Sequence, residues 1–506
     1  MFFRQKTYRH KLVAMGDSLA QGFKNGGIYR TDLSFPALLS RAMGDYSQMD
    51  LPSFSAQAGI PINMEVLVRG LEENIGDDIN LLNSVQAGHH IYSTLKRIKS
   101  YWEGQVISLK NEDQQTPYHN QAIWGFSISD CWLLNEKFCR EYIRNNKTQY
   151  SVFNVLPDQG MYTTARLVLN PTFDNKFENH TQVDNIRELS DNGGIENLIA
   201  CLGHNNVVGA VTKLKIEYST ESDINVPFNE RRCTVFRPEH FEQELKTLYS
   251  KLSEMNIKRV FVPTIPYVTI PPAIRGVNSD LYVPIDGYFD YYARFWIWDE
   301  DFDPDKHPHL TRDDAIELDE IVDQYNHTIK KLADEHGFVV VPVARHVQSA
   351  ARRRHLPETI SPFPDGFIKA LKNNPKTSFM VNENGEPNIT TDYLRINEKT
   401  GKVEKGGIFS LDGLHPSTIG YGLIANIYKM SMEKHGVKFE HDIDWDFVIE
   451  NETLVTDPPK LLHNLRLLLR FLALGRQEKL MMFGKGLLQE MVEVFSSSPK
   501  VEEEHQ

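Results

Sequence analysis

The sequence contains little cysteine, and its cysteines follow no pattern typical of crosslinking or metal binding. Four occur in 506 residues, namely Cys131, Cys139, Cys201 and Cys233. Their small number and irregular spacing exclude a disulfide framework of the kind that supports small secreted domains. Because no Cys-x-x-Cys pair is present, the sequence also gives no support to a zinc or thiol redox site. This cysteine usage is compatible with a reducing compartment.

Long apolar runs and an excess of basic residues are also missing. No segment reaches the roughly 18 apolar residues that predict a membrane-spanning helix. Lys and Arg together number 55 against 68 Asp and Glu, a formal net charge of −13. General nucleic-acid binding is therefore not expected, because phosphates need an excess of basic partners. Phosphate-loop and dinucleotide fingerprints are absent too, and we predict neither a cofactor nor a metal.

The N-terminal segment does not have the pattern of a cleaved signal peptide. Residues 1–11 are basic and aromatic, but the apolar run that follows, residues 12–15, is much shorter than a signal peptide's apolar region. Cleavage after the usual stretch of about 15 to 30 residues would also remove or displace Ser18, the residue of greatest chemical interest. We therefore expect a cytoplasmic protein, or one otherwise without a cleaved N-terminal signal.

Short apolar runs that end in turn residues recur along the chain and predict buried strands. The predicted strands cover residues 12–15, 121–124, 198–202, 259–264 and 338–342. Helical periodicity predicts helices over residues 35–42, 241–255 and 315–335, and a further helix from Ser417. Alternating strands and helices predict an α/β fold, with a mostly parallel sheet and helices on both faces.

Three long stretches without an assigned helix or strand separate these elements and are interpreted as insertions. They lie near residues 65–118, 269–310 and 352–407, within a domain predicted to span residues 1–435. Loops of this size usually form lids or subdomains. The aromatic segment 282–308 either packs a small core of its own or forms a wall of the substrate cleft.

Acidic residues and two histidines crowd residues 299–309, which raises the question of a metal site. A calcium loop of the EF-hand type does not fit, because Lys306 occupies the position that needs glycine and Arg312 the position that needs glutamate. The segment is predicted to be a solvated acidic loop.

Residues 436–506 are predicted to form a C-terminal extension. Residues 461–474 are rich in leucine and contain Arg466 and Arg470. This pattern predicts an amphipathic helix that docks on the body, dimerises or lies on a membrane surface, and docking is the favoured alternative. The acidic tail from Ser496 to Gln506 is predicted to be disordered.

Two short motifs near the ends of the chain contain the side chains of a nucleophilic site. Gly16-Asp17-Ser18-Leu19 follows the first predicted strand, and Asp412 and His415 share one predicted turn. A serine, a base and an orienting carboxylate are the groups that acyl transfer requires.

Two further strand ends offer hydrogen-bond donors that could bind an oxyanion. Gly125 follows the strand at 121–124, and Asn205 follows the strand at 198–202. Each has a simpler alternative, an ordinary turn glycine and an asparagine-rich turn.

Taken in chain order, the four segments that contain Ser18, Gly125, Asn205 and the Asp412–His415 turn resemble the sequence blocks of the SGNH, or GDSL-type, serine hydrolases. The resemblance implies a three-layer α/β/α, flavodoxin-like fold. It implies a Ser18, His415 and Asp412 triad, with an oxyanion hole formed by Ser18, Gly125 and Asn205. Asn206 stands where the family usually has Asp, which affects local hydrogen bonding more than catalysis.

The expected function is that of a serine esterase or lipase that cleaves carboxylic ester bonds through an acyl-enzyme. A carbohydrate O-acetyl esterase or a thioesterase on the same triad remains an alternative, as does a non-catalytic binding or scaffold protein. The aromatic segment and the leucine-rich stretch favour an acyl or lipid ester. The expected partner is such an ester, with peripheral membrane contact through the C-terminal helix as a further expectation.

Overall fold

A computed structural model describes residues 7–464, except residues 57, 80–82, 105–109, 147–158, 283, 352–362 and 398. Residues 465–474, most of the predicted amphipathic helix, and the acidic tail lie outside the described residues. All four cysteines are free thiols. Within the described residues, no helix has the length and apolar character that crossing a bilayer requires.

The described part of the chain contains eleven strands. They are β1 (Val13–Gly16), β2 (Gly27–Ile28), β3 (Ile60–Pro61), β4 (Ile195–Cys201), β5 (Ile257–Pro263), β6 (Ile274–Gly276), β7 (Tyr291–Arg294), β8 (Leu310–Thr311), β9 (Val339–Val341), β10 (Arg395–Ile396) and β11 (Val403–Lys405).

Sixteen α-helices are found in the same residues. They are α1 (Ser18–Gln21), α2 (Phe35–Ala42), α3 (Met64–Ile75), α4 (Ser84–Gly104), α5 (Asp130–Leu133), α6 (Glu136–Asn145), α7 (Gln159–Leu169), α8 (Gln182–Asp191), α9 (Gly209–Lys213), α10 (Pro238–Ser253), α11 (Arg312–His336), α12 (Val343–Ala351), α13 (Asp365–Asn373), α14 (Thr418–Lys434), α15 (Trp445–Glu450) and α16 (Thr453–Thr456).

Four parallel strands form the central sheet, in the order β1-β4-β5-β9. The extended segment that follows His119 runs beside the free edge of β1, where the Ile123 amide donates to the Gly16 carbonyl over 3.0 Å. Numbered along the chain, these five segments have the spatial order 2-1-3-4-5, which is that of flavodoxin-like folds. The predicted α/β/α fold is thereby confirmed.

The strand predicted at residues 121–124 is not a regular strand. One parallel bridge, between Ala14 and Asn120, joins it to β1. Two of its backbone N–H groups donate to side chains: that of Ala122 to the Asn120 side chain and that of Trp124 to the Gln21 side chain. These two amides alternate with those of Gln121 and Ile123, which donate to the Ala14 and Gly16 carbonyls of β1. The segment therefore bonds to β1 on one side and to side chains on the other.

Alternating side chains of the sheet enter two separate hydrophobic clusters. Ala14 packs in one cluster with α2 and α14, whereas Val13 and Met15 pack in the other with α8, α10 and α11. Successive side chains of a strand point to opposite faces, so a strand covered on both sides is apolar throughout. This explains why the four central strands appeared in the sequence as continuous apolar runs.

The predicted helices begin and end close to their expected positions. Helix α2 covers residues 35–42 as predicted, and α11 begins with a capping box formed by Thr311 and Asp314. Helix α1 was not predicted; it spans Ser18–Gln21 and ends at Gly22, whose φ of +90° suits a residue without Cβ. Ser18 therefore lies in the first position of a short helix and not simply on a turn.

The long stretches that sequence analysis left without helices or strands contain regular structure. Helices α3 and α4 occupy much of the first, an antiparallel sheet of β6, β7 and β8 the second, and α13 with the β10–β11 pair the third. The periodicity of α3 was present in the sequence, since Met64, Leu67 and Leu71 share its buried face. Phe289 and Tyr292 of the aromatic segment are buried in the main core.

The residues after α14 also pack against the body. Trp445 of α15 contacts Phe367 of α13, with ring centroids 5.1 Å apart. Leu461 and Leu462, the first residues of the leucine-rich stretch, are buried in a single 3-10 turn.

Candidate active site

Ser18 lies where β1 meets α1, at the carboxyl edge of the sheet, where open α/β sheets bind ligands. The approach of β1 to β4 is very close here, because a Cβ on Gly16 would collide with the carbonyl oxygen of Cys201. Asp17 caps α1 by accepting the Leu19 N–H over 3.0 Å. These contacts hold the backbone of the serine in place.

Asp412 and His415 are held together in one turn, as their spacing predicts. His415 Nδ1 lies 3.2 Å from Asp412 Oδ2. The other carboxylate oxygen, Oδ1, accepts the backbone N–H groups of Leu414 and His415, both at 2.8 Å. Ser417 caps the following helix α14 through a bond from the Gly420 N–H. Backbone and helix cap together fix the imidazole relative to the carboxylate.

Asp412 is stabilised in its ionised form. Burial is the largest influence on its pKa and acts to raise it, but the charge and hydrogen bonds of His415 and the backbone N–H groups outweigh burial. The net result is a pKa below the usual range. Asp412 is therefore a carboxylate under ordinary conditions, as an orienting partner for a histidine must be.

The segment 23–26, just after α1, connects the serine to the Asp412 turn. The Gly26 N–H donates to Asp412 Oδ2 over 2.9 Å. Asn25 donates its backbone N–H to Ser410 and accepts the Leu411 N–H with its side chain. These bonds join the two halves of the site, although they come from opposite ends of the sequence.

The aromatic ring of Phe23 packs against the ring of His415. Their centroids are 4.4 Å apart, and the Phe23 carbonyl accepts the hydroxyl of Tyr421 over 2.6 Å. The Phe23 amide in turn donates to the Ser18 carbonyl over 3.1 Å. Phe23 thus places the imidazole beside the helix that carries Ser18.

Ser18 and His415, although both described, are not hydrogen-bonded to each other through Oγ and Nε2. Ser18 is buried, and His415 keeps 15% of its side chain exposed. Catalytic hydrogen bonds are often long in the absence of substrate and tighten in the complex.

Two backbone donors at this edge of the sheet are unused. Among the described residues, the N–H groups of Ser18 and Gly125 have no acceptor. Gly125 has a φ of +82°, and a Cβ there would lie 2.8 Å from the sulfur of Met161. Glycine is therefore required by both backbone and packing, and its N–H remains available to a ligand.

The side chain of Asn205 bonds to Phe126, the residue after Gly125. Its side-chain amide donates one N–H to the carbonyl of Phe126, 2.8 Å away. A primary amide has a second N–H, which remains for another acceptor. The bond also ties the 3-10 turn His204–Asn206, after β4, to the Gly125 loop.

His204 forms a second Asp–His pair, with Asp17. Its Nδ1 lies 2.9 Å from Asp17 Oδ2, whereas its Nε2 is buried and has no partner among the described residues. From the sequence, a structural or solvent-facing histidine is the simplest expectation for His204, with contact to substrate as the alternative. It lies between Asn205 and the cap of α1, so the pair connects the serine turn to the Asn205 turn.

Within the described residues, one group of potential metal ligands converges. It consists of Asp17, Cys201 and His204, whose possible ligand atoms lie within 4.8 Å of one another. Hydrogen bonds from Leu19 and His204 already occupy both Asp17 oxygens. Burial raises the pKa of the Cys201 thiol well above its usual value, so the thiolate that zinc prefers is disfavoured. The group fits a hydrogen-bonded cluster better than a metal centre.

Asn206, which stands where the family that the sequence resembles usually has Asp, bonds to two buried groups. Its side-chain oxygen accepts the Ile128 N–H over 3.2 Å, and its amide nitrogen lies 3.4 Å from Glu244 Oε2. Burial raises the pKa of Glu244, which also lies 4.0 Å from Arg231. An amide is suited to this place because it can accept from Ile128 and donate to Glu244, which an ionised Asp could not do.

The acidic loop near residues 299–309 forms internal bonds. Asp299 pairs with Arg275 at 2.7 Å, and Asp303 pairs with Lys306 at 2.6 Å. His307 accepts the Asp303 N–H through Nδ1. Asp299 therefore serves an ion pair with β6, and Asp303 an ion pair within the loop.

Sequence analysis missed Asn25 and Gly26 as parts of the site. The signal was the turn sequence Asn25-Gly26-Gly27, in which Asn25 has a φ of +52°. The distance along the chain to Asp412 hid its meaning.

Comparison with known proteins adds little to this geometry. No family model matches the chain, and no curated protein matches it. Among solved structures, the chain is similar to a crystal structure described as a "putative GDSL-like lipase" from Parabacteroides merdae ATCC 43184. The identity is 13%, the alignment covers 86% of this chain and 100% of that one, and the TM-score is 0.25. So distant a likeness carries no argument about function.

Proposed function

We propose that this protein is a serine hydrolase of the SGNH type that cleaves carboxylic ester bonds. One observation carries the proposal: an Asp-oriented histidine and two backbone N–H groups without acceptors meet at the edge of the sheet that holds Ser18. A binding protein has no need for this combination, whereas acyl transfer uses every part of it.

The proposed reaction has two steps. Ser18 Oγ attacks the ester carbonyl carbon while His415 Nε2 takes its proton, and the alcohol then leaves with that proton. The tetrahedral oxyanion is bound by the N–H groups of Ser18 and Gly125 and by the second amide N–H of Asn205. Water, activated by His415, next releases the acid and restores Ser18.

Each remaining contact has a role in this scheme. Asp412 holds Nδ1 of the imidazole and stabilises the imidazolium, and its lowered pKa keeps it ionised while it does so. Phe23 limits rotation of the ring. Substrate binding must bring Ser18 Oγ within hydrogen-bond reach of His415 Nε2, because the two are not bonded without it.

A fluorophosphonate probe tests the proposal directly, since it labels only an activated serine. We expect the wild-type chain to be labelled and Ser18→Ala to be unlabelled, with kcat on 4-nitrophenyl acetate lowered by about 10⁴-fold or more. Ser53→Ala is the matched control, because Ser53 is exposed and takes part in none of the hydrogen bonds of the candidate site. Equal labelling of Ser18→Ala and wild type would overturn the proposal.

The same experiment addresses the non-catalytic alternative. A scaffold that retains only the fold would show no labelling in the wild-type chain and no ester turnover. Thioester and acetylated-sugar substrates, measured beside acyl esters of increasing length, then separate the remaining substrate classes by kcat/KM.

A further inference from the structure

A cavity of about 720 Å³ lies between two segments outside the predicted sequence blocks. One wall comes from the region of β6 and the loop after β7, the other from the β10–β11 pair, with Leu462 and His463 at one side. Its volume falls in the range of small-molecule sites, about 300 to 1,000 Å³.

The cavity walls are bonded directly to the turn that carries Asp412 and His415. Pro272 lines the cavity, and the next residue, Ala273, donates its N–H to the Gly413 carbonyl over 2.7 Å. Tyr393 lines the opposite wall and donates its hydroxyl to the Leu411 carbonyl over 2.7 Å. The walls of the cavity are thus fixed to the turn that carries Asp412 and His415, and the lining itself contains no residue of that turn.

Charged side chains line the cavity but largely neutralise one another. Four basic and five acidic residues contribute to the lining. Ion pairs include Arg275 with Asp299 at 2.7 Å and Lys405 with Asp280 at 3.1 Å. A nearly neutral lining gives no strong preference to an anion or a cation, whereas paired carboxylates and cations still offer sites to hydroxyl groups.

Arg275 provides a polar group that is already fixed in place. It is 92% buried, since its exposure is 8%, and its Nη2 donates to the Ile297 carbonyl over 2.8 Å. Its Nε is buried and has no acceptor among the described residues. Polar groups that are fixed in the wall of a cavity are typical of preformed ligand-binding sites.

Aromatic rings complete the lining. Trp298 remains 40% exposed, and Tyr393 stacks on Phe295 with ring centroids 4.0 Å apart. An indole face beside fixed polar groups suits a ligand with C–H faces and hydroxyl edges. A long acyl chain fits poorly, because it would desolvate these charged groups without hydrogen-bonding to them.

We propose that this cavity binds the uncharged saccharide part of an ester substrate. Its connection to catalysis rests on the hydrolase function proposed above; the binding itself does not. This departs from the lipid ester that the sequence favoured.

Binding and catalysis can be tested separately with the full chain. Ser18→Ala protein, which cannot turn over substrate, is titrated by calorimetry with xylotriose, cellotriose, maltotriose and N-acetylchitotriose. We expect at least one to bind and Trp298→Ala to weaken its affinity by about tenfold, as loss of one aromatic contact allows. Phe379→Ala, which removes an aromatic ring of similar exposure at 39% outside the cavity, should leave binding unchanged.

Two further measurements keep the test decisive. Trp298→Phe should restore part of the affinity, and melting curves identify any variant that has lost its fold. If none of the four saccharides binds while the fluorophosphonate still labels Ser18, the cavity proposal is wrong and the hydrolase proposal stands. If a saccharide binds but the fluorophosphonate does not label Ser18, the hydrolase proposal is wrong and the cavity proposal stands. If long-chain acyl esters bind more tightly than the saccharides, and Trp298→Ala abolishes that binding, the saccharide proposal is wrong.

Discussion

The molecule contains two Asp–His pairs of closely similar geometry, and their environments differ in one respect. Nδ1 to Oδ2 is 2.9 Å between His204 and Asp17 and 3.2 Å between His415 and Asp412. In both pairs, Oδ1 of the aspartate accepts the N–H of the residue two positions later. Only His204 has its Nε2 among the buried, unpartnered atoms of the described residues.

Under the proposed function, this difference separates a general base from a histidine that only connects two turns. A general base needs its second nitrogen within reach of the reacting proton, whereas a histidine that joins two turns needs only its first. His415 lies on the turn before α14, beside Phe23, and its Nε2 is not among the buried, unpartnered atoms of the described residues. His204 lies between β4 and the cap of α1, where protein atoms surround it. The geometry of an Asp–His pair is thus insufficient to assign catalysis.

Replacing each histidine by alanine tests this comparison with the largest expected effect. His415→Ala should lower kcat by about 10⁴-fold or more, because the base is lost. His204→Ala should lower kcat by less than about 100-fold, through displacement of Asn205, and should also lower the melting temperature because it removes the hydrogen-bond partner of the buried Asp17 Oδ2. Added imidazole should restore activity to His415→Ala alone; equal losses in the two variants would contradict the assignment.

The two aspartates give a second, smaller contrast. Asp412→Asn should reduce kcat by about 10³- to 10⁴-fold, since an amide favours the wrong imidazole tautomer. Asp17→Asn keeps an acceptor for the Leu19 N–H and should reduce kcat by only about tenfold. Steady-state kinetics at pH 8, with melting curves as the control for folding, measure both. A greater loss of kcat in Asp17→Asn would mean that the wrong pair was assigned to catalysis.

A third histidine arrangement extends the comparison to stability. His10 Nδ1 and His119 Nε2 are 2.9 Å apart, and His119 Nδ1 accepts the Asp50 N–H. Burial, together with the charge of His10, lowers the pKa of His119 to about 4, and burial also lowers the pKa of His10. Both rings are therefore neutral in the folded protein, which this hydrogen-bond chain requires.

The expected result is a loss of stability in acid. The unfolded chain binds a proton at His119 below about pH 6.5, whereas the folded chain does not until about pH 4. The stabilisation is thus fully present above pH 6.5, and on the order of 1–3 kcal/mol should be lost as the pH falls towards 4. Melting temperatures across this window measure it, and His119→Gln should flatten the profile. An unchanged slope in that variant would rule out the pair as the cause.

The smallest effect is expected at Asn206. Asn206→Asp places a second carboxylate against buried Glu244, which should cost about 1 kcal/mol of unfolding free energy. Adding Glu244→Gln should recover this loss, and urea unfolding of the single and double variants measures it. Full stability of Asn206→Asp alone would show that the pair does not couple.

Sequence patterns predicted some elements well for identifiable reasons. Strands β1, β4, β5 and β9 were recognisable because burial on both faces makes most of their residues apolar. Helix α14 was recognisable because Ser417 and Pro416 mark its start. Residues 121–124, predicted as a strand, run beside β1 and bond to it through the Gln121 and Ile123 amides, but they do not form a regular strand. Helices α3 and α4 were missed although the periodicity of α3 was present, since no strand signals framed them.

Sequence alone determined what depends on nearby residues: the apolar strands, the cap before α14, and the spacing that lets Asp412 bond to His415. Only the tertiary structure decided what depends on distant contacts. It joined Asn25 and Gly26 to the Asp412 turn, buried Nε2 of His204, and formed the cavity beside Gly413. Neighbouring residues are constrained by backbone geometry, which the sequence encodes directly, whereas distant contacts arise from the packing of the whole chain.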